Sequence, residues 1–263
     1  MVMSDINSAG DRALASHRQT ITRPPAAPSK DQGPHSVKVT RQSGLPLTSL
    51  DSVPVLPRLE PRLQALKLKR MFDVIVAAAV LIALLPLLVI VAFLVKITSS
   101  GPVFFRQMRE GINGTRFEIL KFRSMREDVL DPTGIDQTIK DDPRVTRFGR
   151  AIRRTSIDEL PQLINVLRGD MSLVGPRPHV PGMRAAGVPY RDLVPYYDLR
   201  LSVLPGITGW AQANGLRGET VSARLARARI DHDLAYVQNF SLWLDLQILL
   251  MTVRNEFVSG SGT

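Results

Sequence analysis

Apolar positions are spread unevenly along this chain, and their spacing changes character several times. Residues 1–62 hold no sustained apolar period and are rich in Pro, Ser, Thr, Ala and charge, as in Arg23-Pro24-Pro25-Ala26-Ala27-Pro28. So little burial cannot offset the entropy of ordering, which predicts a disordered tail. The tail also lacks the apolar core of a secretory signal. From Val74 to Val95 the pattern inverts and no residue carries a charge, so the default reading is a membrane helix. Pro86 lies near its centre, where a proline removes a backbone hydrogen bond and bends a helix. Basic residues flank both ends: Lys67, Lys69 and Arg70 before, Lys96, Arg106 and Arg109 after. A spanning helix carries its basic excess on one side. A segment that turns at Pro86 and leaves on the side it came from carries it on both. The residues alone leave both readings open.

Beyond the membrane segment the periods shorten. Val103–Gln107 and Arg116–Phe122 are strand-like runs joined through Gly111-Ile112-Asn113-Gly114, which predicts a hairpin. Residues 126–143 read as loop, with turn signals at Asp131-Pro132 and Asp142-Pro143. From Arg144 the spacing is helical. Arg147, Arg150 and Arg154 fall on one face and Phe148, Ile152 and Thr155 on another. Leu160, Leu163, Ile164 and Leu167 continue in helical register to a stop at Gly169. Residues 170–178 read as loop, 195–218 as loop-rich and 221–238 as an amphipathic helix. The apolar run Phe240–Val253 is short for a span and fits an interfacial or a core helix equally well.

Charge narrows the class of partner. Lys and Arg number 34 against 24 Asp and Glu, a net charge of +10, which calls for a polyanion: nucleic acid, an anionic membrane surface or a phosphorylated small molecule. Aromatics are only 6% and no nucleic-acid reading motif is present, so no nucleic-acid partner is expected. The absence of cysteine excludes disulfides and thiolate catalysis. His17, His35, His179 and His232 form no pair at metal-ligand spacing.

The candidate chemistry is concentrated in Arg153–Gln162. Taken alone, Ser156-Ile157-Asp158-Glu159 is explained by a capping box, with Ser156 at the N-cap and Glu159 at the third helical position. Its surroundings offer more. A carboxylate can attack phosphorus and carry a phosphoryl group, provided arginine forks or Mg²⁺ neutralise the phosphoryl oxygens. Arg147, Arg150, Arg153, Arg154 and the proline-flanked Arg177 supply forks, and carboxylates suit Mg²⁺. These residues reach a basic, membrane-associated protein able to transfer phosphoryl groups. A membrane-anchored basic protein that binds an anionic polymer or lipid without chemistry remains the alternative.

The motifs carry a family resemblance. Lys69-Arg70-Met71-Phe72-Asp73, Gly101–Gln107, Phe117–Met125, Arg144–Gly149, Asp158-Glu159-Leu160-Pro161-Gln162 and Met171–Pro178 follow one another in the order found in the bacterial sugar transferases, the monotopic phosphoglycosyl transferases. The resemblance covers roughly residues 67–257. It implies an α+β architecture: a re-entrant membrane helix-break-helix over 67–98, then a small, mainly helical cytoplasmic catalytic domain over 99–257. A short β-hairpin and interfacial amphipathic helices belong to that domain, and 258–263 form a flexible end. It further implies transfer of a sugar 1-phosphate from a UDP-sugar, UDP-glucose or UDP-galactose, to undecaprenyl phosphate. The expected route is a covalent aspartyl-phosphosugar, at the cytoplasmic face of the bacterial inner membrane, initiating exopolysaccharide synthesis. Asp158 is the implied nucleophile and Mg²⁺ ligand, and Glu159 its assistant. The resemblance associates Arg177 with phosphate binding and Pro86 with the helix break; Lys121, Arg123, Arg147, Arg150, Arg154 and Gln162 complete the candidate substrate and phosphate contacts. Membrane lipid, downstream glycosyltransferases and a second copy of the chain are the further partners compatible with it. Many members have Ser-Pro at the break where this chain has Leu85-Pro86.

Overall fold

A computed structural model describes residues 59–126, 142–218, 220 and 222–259, with side chains placed from residue 64 to 256. The predicted tail up to residue 58, the Asp131-Pro132 turn and residues 260–263 lie outside the described residues. Helix α1 runs from Leu59 to Thr98 with Pro86 inside it. The expected helix break is therefore corrected: Pro86 does not end the helix. Proline costs one intrahelical bond and crowds one carbonyl, a loss that long helix-forming runs on either side absorb as a bend. Among the described residues α1 is the one helix long and apolar enough to cross a membrane.

Both limbs of α1 pack on the same body. Before Pro86, Phe72, Val76, Ala77 and Leu81 join the main core with Ile119, Leu163, Val166 and Trp210. After it, Leu88, Val91 and Val95 pack on Phe122, Phe148 and Ile152. Between the limbs Ile82, Leu85, Pro86 and Leu87 are exposed. Charged side chains fasten each limb. Lys69 Nζ donates to Asp245 at 2.6 Å. Asp73 accepts from Ser172 Oγ at 2.7 Å and Leu173 N at 3.2 Å. Arg70 donates to the carbonyls of Val166 and Leu167 at 2.6 and 3.1 Å. At the far end Arg123 donates to the carbonyls of Ser99, at 2.7 Å, and Pro102. Free carbonyls at a helix C-terminus are natural partners for cations.

The predicted hairpin forms. β1 (Phe104–Glu110) and β2 (Arg116–Phe122) pair antiparallel from Phe104↔Phe122 to Glu110↔Arg116. α2 (Arg147–Arg154) begins later than Arg144 because Thr146 caps it, its hydroxyl accepting from Gly149 N at 2.8 Å. α3 (Gln162–Arg168) stops at Gly169, at φ 96°. The predicted 170–178 loop contains β3 (Ser172–Val174), parallel to β6 (Gly206–Thr208). Glycines allow this close pairing: a Cβ on Gly206 would sit 2.1 Å from Gly175 N. Between these strands come β4 (Arg184–Ala185), β5 (Val188–Pro189), α4 (Tyr190–Leu193) and a 3₁₀ turn at Tyr197–Ser202. They pack through Tyr190, Val194 and Tyr197 on Ile230 and Leu234 of α6 (Ala223–Asn239). α5 (Trp210–Ala213) and α7 (Leu242–Ser259) complete the body. One face of α7 is core, with Leu244, Asp245 and Ile248 buried. Its other face exposes Trp243, Leu246, Leu250 and Val253, spacing that makes an apolar stripe.

Candidate active site

The acidic pair lies where the chain reverses between α2 and α3, in a 3₁₀ turn at Ile157–Glu159. The capping-box expectation fails here. Ser156 is left-handed, at φ 53° and ψ 16°, and makes no cap bond. Its N–H instead closes the end of α2 on Arg153 O at 3.1 Å, and its hydroxyl donates to Glu256 Oε2 at 3.1 Å. α3 begins only at Gln162, after Pro161.

The two carboxylates have opposite surroundings. Glu159 Oε1 accepts from Lys121 Nζ at 2.7 Å and Arg177 Nη2 at 2.5 Å, and its Oε2 accepts from Arg177 Nη1 at 3.1 Å. Burial pushes the Glu159 carboxyl up, but Arg177 and Lys121 together hold it well below the usual carboxylate range. Asp158 is 6% exposed, and among the described residues none donates a hydrogen bond to its carboxylate. Burial raises it to about 6 against the opposing pull of Lys121, and Glu159 adds to the rise. The turn thus holds one clamped anion and one unclamped carboxylate set among cations.

The predicted arginines divide. Arg177 reaches the site, and its backbone is held on both sides: Arg200 Nη2 donates to Arg177 O at 2.5 Å and Arg109 Nη1 to Pro178 O at 3.2 Å. Arg200 is buried and paired with Asp233 at 2.8 Å. Lys121 reaches the site from β2. Arg123, just beyond β2, is buried and donates to the carbonyls of Ser99 and Pro102 at the end of α1 instead of reaching the acidic pair, so its phosphate-binding assignment is corrected. Arg147, Arg150 and Arg154 are exposed, and the α2 arginine whose charge acts on Asp158 is Arg153. Gln162 is buried, and its Nε2 has no partner. His179 beside the Arg177 loop is kept neutral by burial and by Arg200, with Nδ1 2.9 Å from the Tyr197 hydroxyl.

Residues missed by sequence reasoning are Arg109, Arg200 and Asp233, which brace the Arg177 backbone, and Glu256. Nothing local marks them. The Lys69–Asp73 pair did carry a signal: opposite charges four apart at the edge of an apolar helix seek buried partners.

The sequence pattern of the bacterial sugar transferase family matches residues 64–259. This chain belongs to that family. Among the relatives of this sugar transferase is the "Exopolysaccharide production protein PSS" of Rhizobium leguminosarum bv. phaseoli. It is 52% identical over 197 residues, 75% of this chain and 98% of that protein. The Caulobacter vibrioides "UDP-glucose:undecaprenyl-phosphate glucose-1-phosphate transferase" is 46% identical over 225 residues, 85% of this chain and 77% of that protein. The Escherichia coli K12 protein of the same name is 45% identical over 215 residues, 81% of this chain but 46% of that protein. The sugar transferase thus spans nearly all of the Rhizobium relative and less than half of the E. coli one.

The donor set fits Mg²⁺ in one way. Among the described residues no cluster of three or more acids or histidines could cage a metal. Mg²⁺, however, binds through one or two carboxylates plus substrate phosphates and water, and Asp158 offers one unclamped carboxylate of that kind.

Proposed function

We propose that this sugar transferase moves a sugar 1-phosphate from a UDP-sugar, with UDP-glucose the first choice, to undecaprenyl phosphate, and so initiates exopolysaccharide assembly. The observation that carries the reading is the split of the acidic pair. Asp158 is buried and unclamped while its neighbour is fully engaged by Lys121 and Arg177. A carboxylate without hydrogen bonds is a better nucleophile than one whose lone pairs are occupied. In the first step an Asp158 oxygen attacks the β-phosphorus, the bond to the bridging oxygen breaks, and UMP leaves. In the second, a phosphate oxygen of undecaprenyl phosphate attacks the same phosphorus and frees Asp158. Glu159 acts by holding Lys121 and Arg177 in place, not by carrying protons, since its carboxyl is ionised at neutral pH. Lys121, Arg153 and Arg177 offset the charge spread over the phosphoryl oxygens in the transition state. Mg²⁺ held by Asp158 and the substrate diphosphate would add to that neutralisation.

The same reading places α1 as a re-entrant helix at the cytoplasmic face. Its support is that both limbs pack on one body while the apolar segment around Pro86 is exposed. The apolar stripe of α7 supports an interfacial seat for the site, where aqueous and lipid substrates meet. Full-length enzyme in lipid nanodiscs with Mg²⁺, UDP-glucose and undecaprenyl phosphate is expected to release UMP, and Asp158→Asn is expected to release none. Turnover by Asp158→Asn near the unsubstituted rate would reject Asp158 as nucleophile.

A further inference from the structure

Ser156 adopts a left-handed backbone two residues before Asp158, a conformation that a residue with a side chain adopts at a cost. Such a residue persists where its surroundings over-determine it. Here the surroundings come from 100 positions away. Ser156 Oγ donates to Glu256 Oε2 at 3.1 Å, and the other oxygen of Glu256 is paired with Arg217 Nη1. Arg217 is itself held, its Nε donating to Gln212 O at 3.2 Å. The helix that presents Glu256 is fixed to β6 and α5. Thr252 and Thr208 hydroxyls meet at 2.7 Å, and Asn255 Nδ2 donates to Ala213 O at 2.9 Å. Glu256 therefore has one oxygen on a fixed cation and the other on the strained residue that aims the acidic turn.

We propose that Glu256 is a positioning residue for Asp158, acting through the Ser156 hydroxyl, and that it ties the reactive turn to α7, the helix bearing the exposed apolar stripe. The proposal rests on Asp158 as the nucleophile. Displacing a reacting atom by about 1 Å costs roughly a hundredfold in rate, so an indirect tie is enough to set turnover.

The test uses the full-length enzyme in nanodiscs with Mg²⁺, UDP-glucose and undecaprenyl phosphate, comparing Glu256→Gln, Ser156→Ala, the double variant and Ser156→Gly. Each single variant is expected to lose kcat by roughly ten- to a hundredfold, with KM for UDP-glucose within about twofold. The double variant is expected to be no worse than the poorer single, because both remove one interaction. Ser156→Gly relieves the backbone strain. A melting midpoint at or above that of the unsubstituted enzyme, with kcat lowered as in Ser156→Ala, separates positioning from folding. Unchanged kcat in Glu256→Gln or Ser156→Gly, or losses that multiply in the double variant, overturn the proposal. Hydrogen exchange at Ile157–Glu159 judges it independently of the reaction: it is expected to quicken in Glu256→Gln and Ser156→Ala, and unchanged exchange overturns it. Absent UMP release by the unsubstituted enzyme, or turnover by Asp158→Asn, would instead count against the reaction or the nucleophile.

Discussion

Asp158 and Glu159 are adjacent in sequence and opposite in proton affinity, and the difference lies in who holds them. Lys121 and Arg177 spend their donors on Glu159, while Asp158 is left to burial. Carboxyl resonances of the metal-free enzyme should show Asp158 titrating at about 6 and Glu159 titrating well below the usual carboxylate range. The sign carries over to stability. The folded pKa of Asp158 lies above its ordinary value of 3.8, so the folded state binds the proton more tightly, and this group costs stability as pH rises through that window. Asp158→Asn should therefore add on the order of 1–3 kcal/mol of stability at pH 7, seen as a higher melting midpoint, while abolishing transfer. A lower midpoint would mean the carboxylate has a partner that stabilises its charge. The α2 arginines make a second contrast. Arg153→Gln should slow UMP release by roughly tenfold, whereas Arg150→Gln, from an exposed position, should stay within about twofold. Equal losses would put the whole basic face at the substrate. None of this division was legible in sequence. The spacing Ser156–Glu159 satisfies a capping box, and only the distant Glu256, Lys121 and Arg177 decide otherwise. Likewise nothing in Lys121-Phe122-Arg123 says which cation turns to the site, although strand alternation, which puts every second residue on one face, makes it plain that positions 121 and 123 share a face and must be separated by their partners.

Elements with their own period were legible: the alternating hairpin, the amphipathic α6 and the Gly169 stop all form where expected. β3 and β6 were not, because three-residue strands have no period to read, and their pairing depends on glycines at 175 and 206 that approach each other closely. The docking of α1 lies between these cases. The motif Lys69–Asp73 is visible, yet its partners Ser172 and Asp245 are not. Asp245 is fully buried and takes both Lys69 Nζ and the Tyr236 hydroxyl, at 2.6 and 2.8 Å. Removing one partner of a buried pair leaves the other uncompensated, at a cost of about 3–5 kcal/mol. Asp245→Ala should lower the melting midpoint accordingly and loosen α1 from α3 and β3, seen as faster proteolysis near residue 67. Asp245→Asn, which keeps the shape and one acceptor, should lose less.

Taken together, the fastened ends of α1 constrain how the molecule can sit in a bilayer. Arg70 grips the end of α3 on one limb, and Arg123 grips the end of α1 on the other. Both cations are bonded within the same body. A helix crossing the bilayer would need Ser99–Pro102, and with them Arg123 and the hairpin, on the opposite side from Lys67–Arg70. That would draw β2 and its Lys121–Glu159 contact through the hydrocarbon, where unpaired backbone and charge are costly. The proposed re-entrant seat would avoid this, with exposed residues between Ile82 and Ile90 meeting lipid tails while both ends stay in water. Because the chain contains no cysteine, single cysteines can report this without background. Lys67→Cys and Ser100→Cys, both at exposed positions, should react with a membrane-impermeant maleimide in inverted inner-membrane vesicles and should be protected in intact spheroplasts. Reaction of one position in vesicles and the other in spheroplasts would establish a spanning helix. The catalytic body would then have to separate from one limb of α1, and the Val91–Ile152 packing with the Arg123 staple could not coexist with the Ala77–Leu163 packing in the membrane.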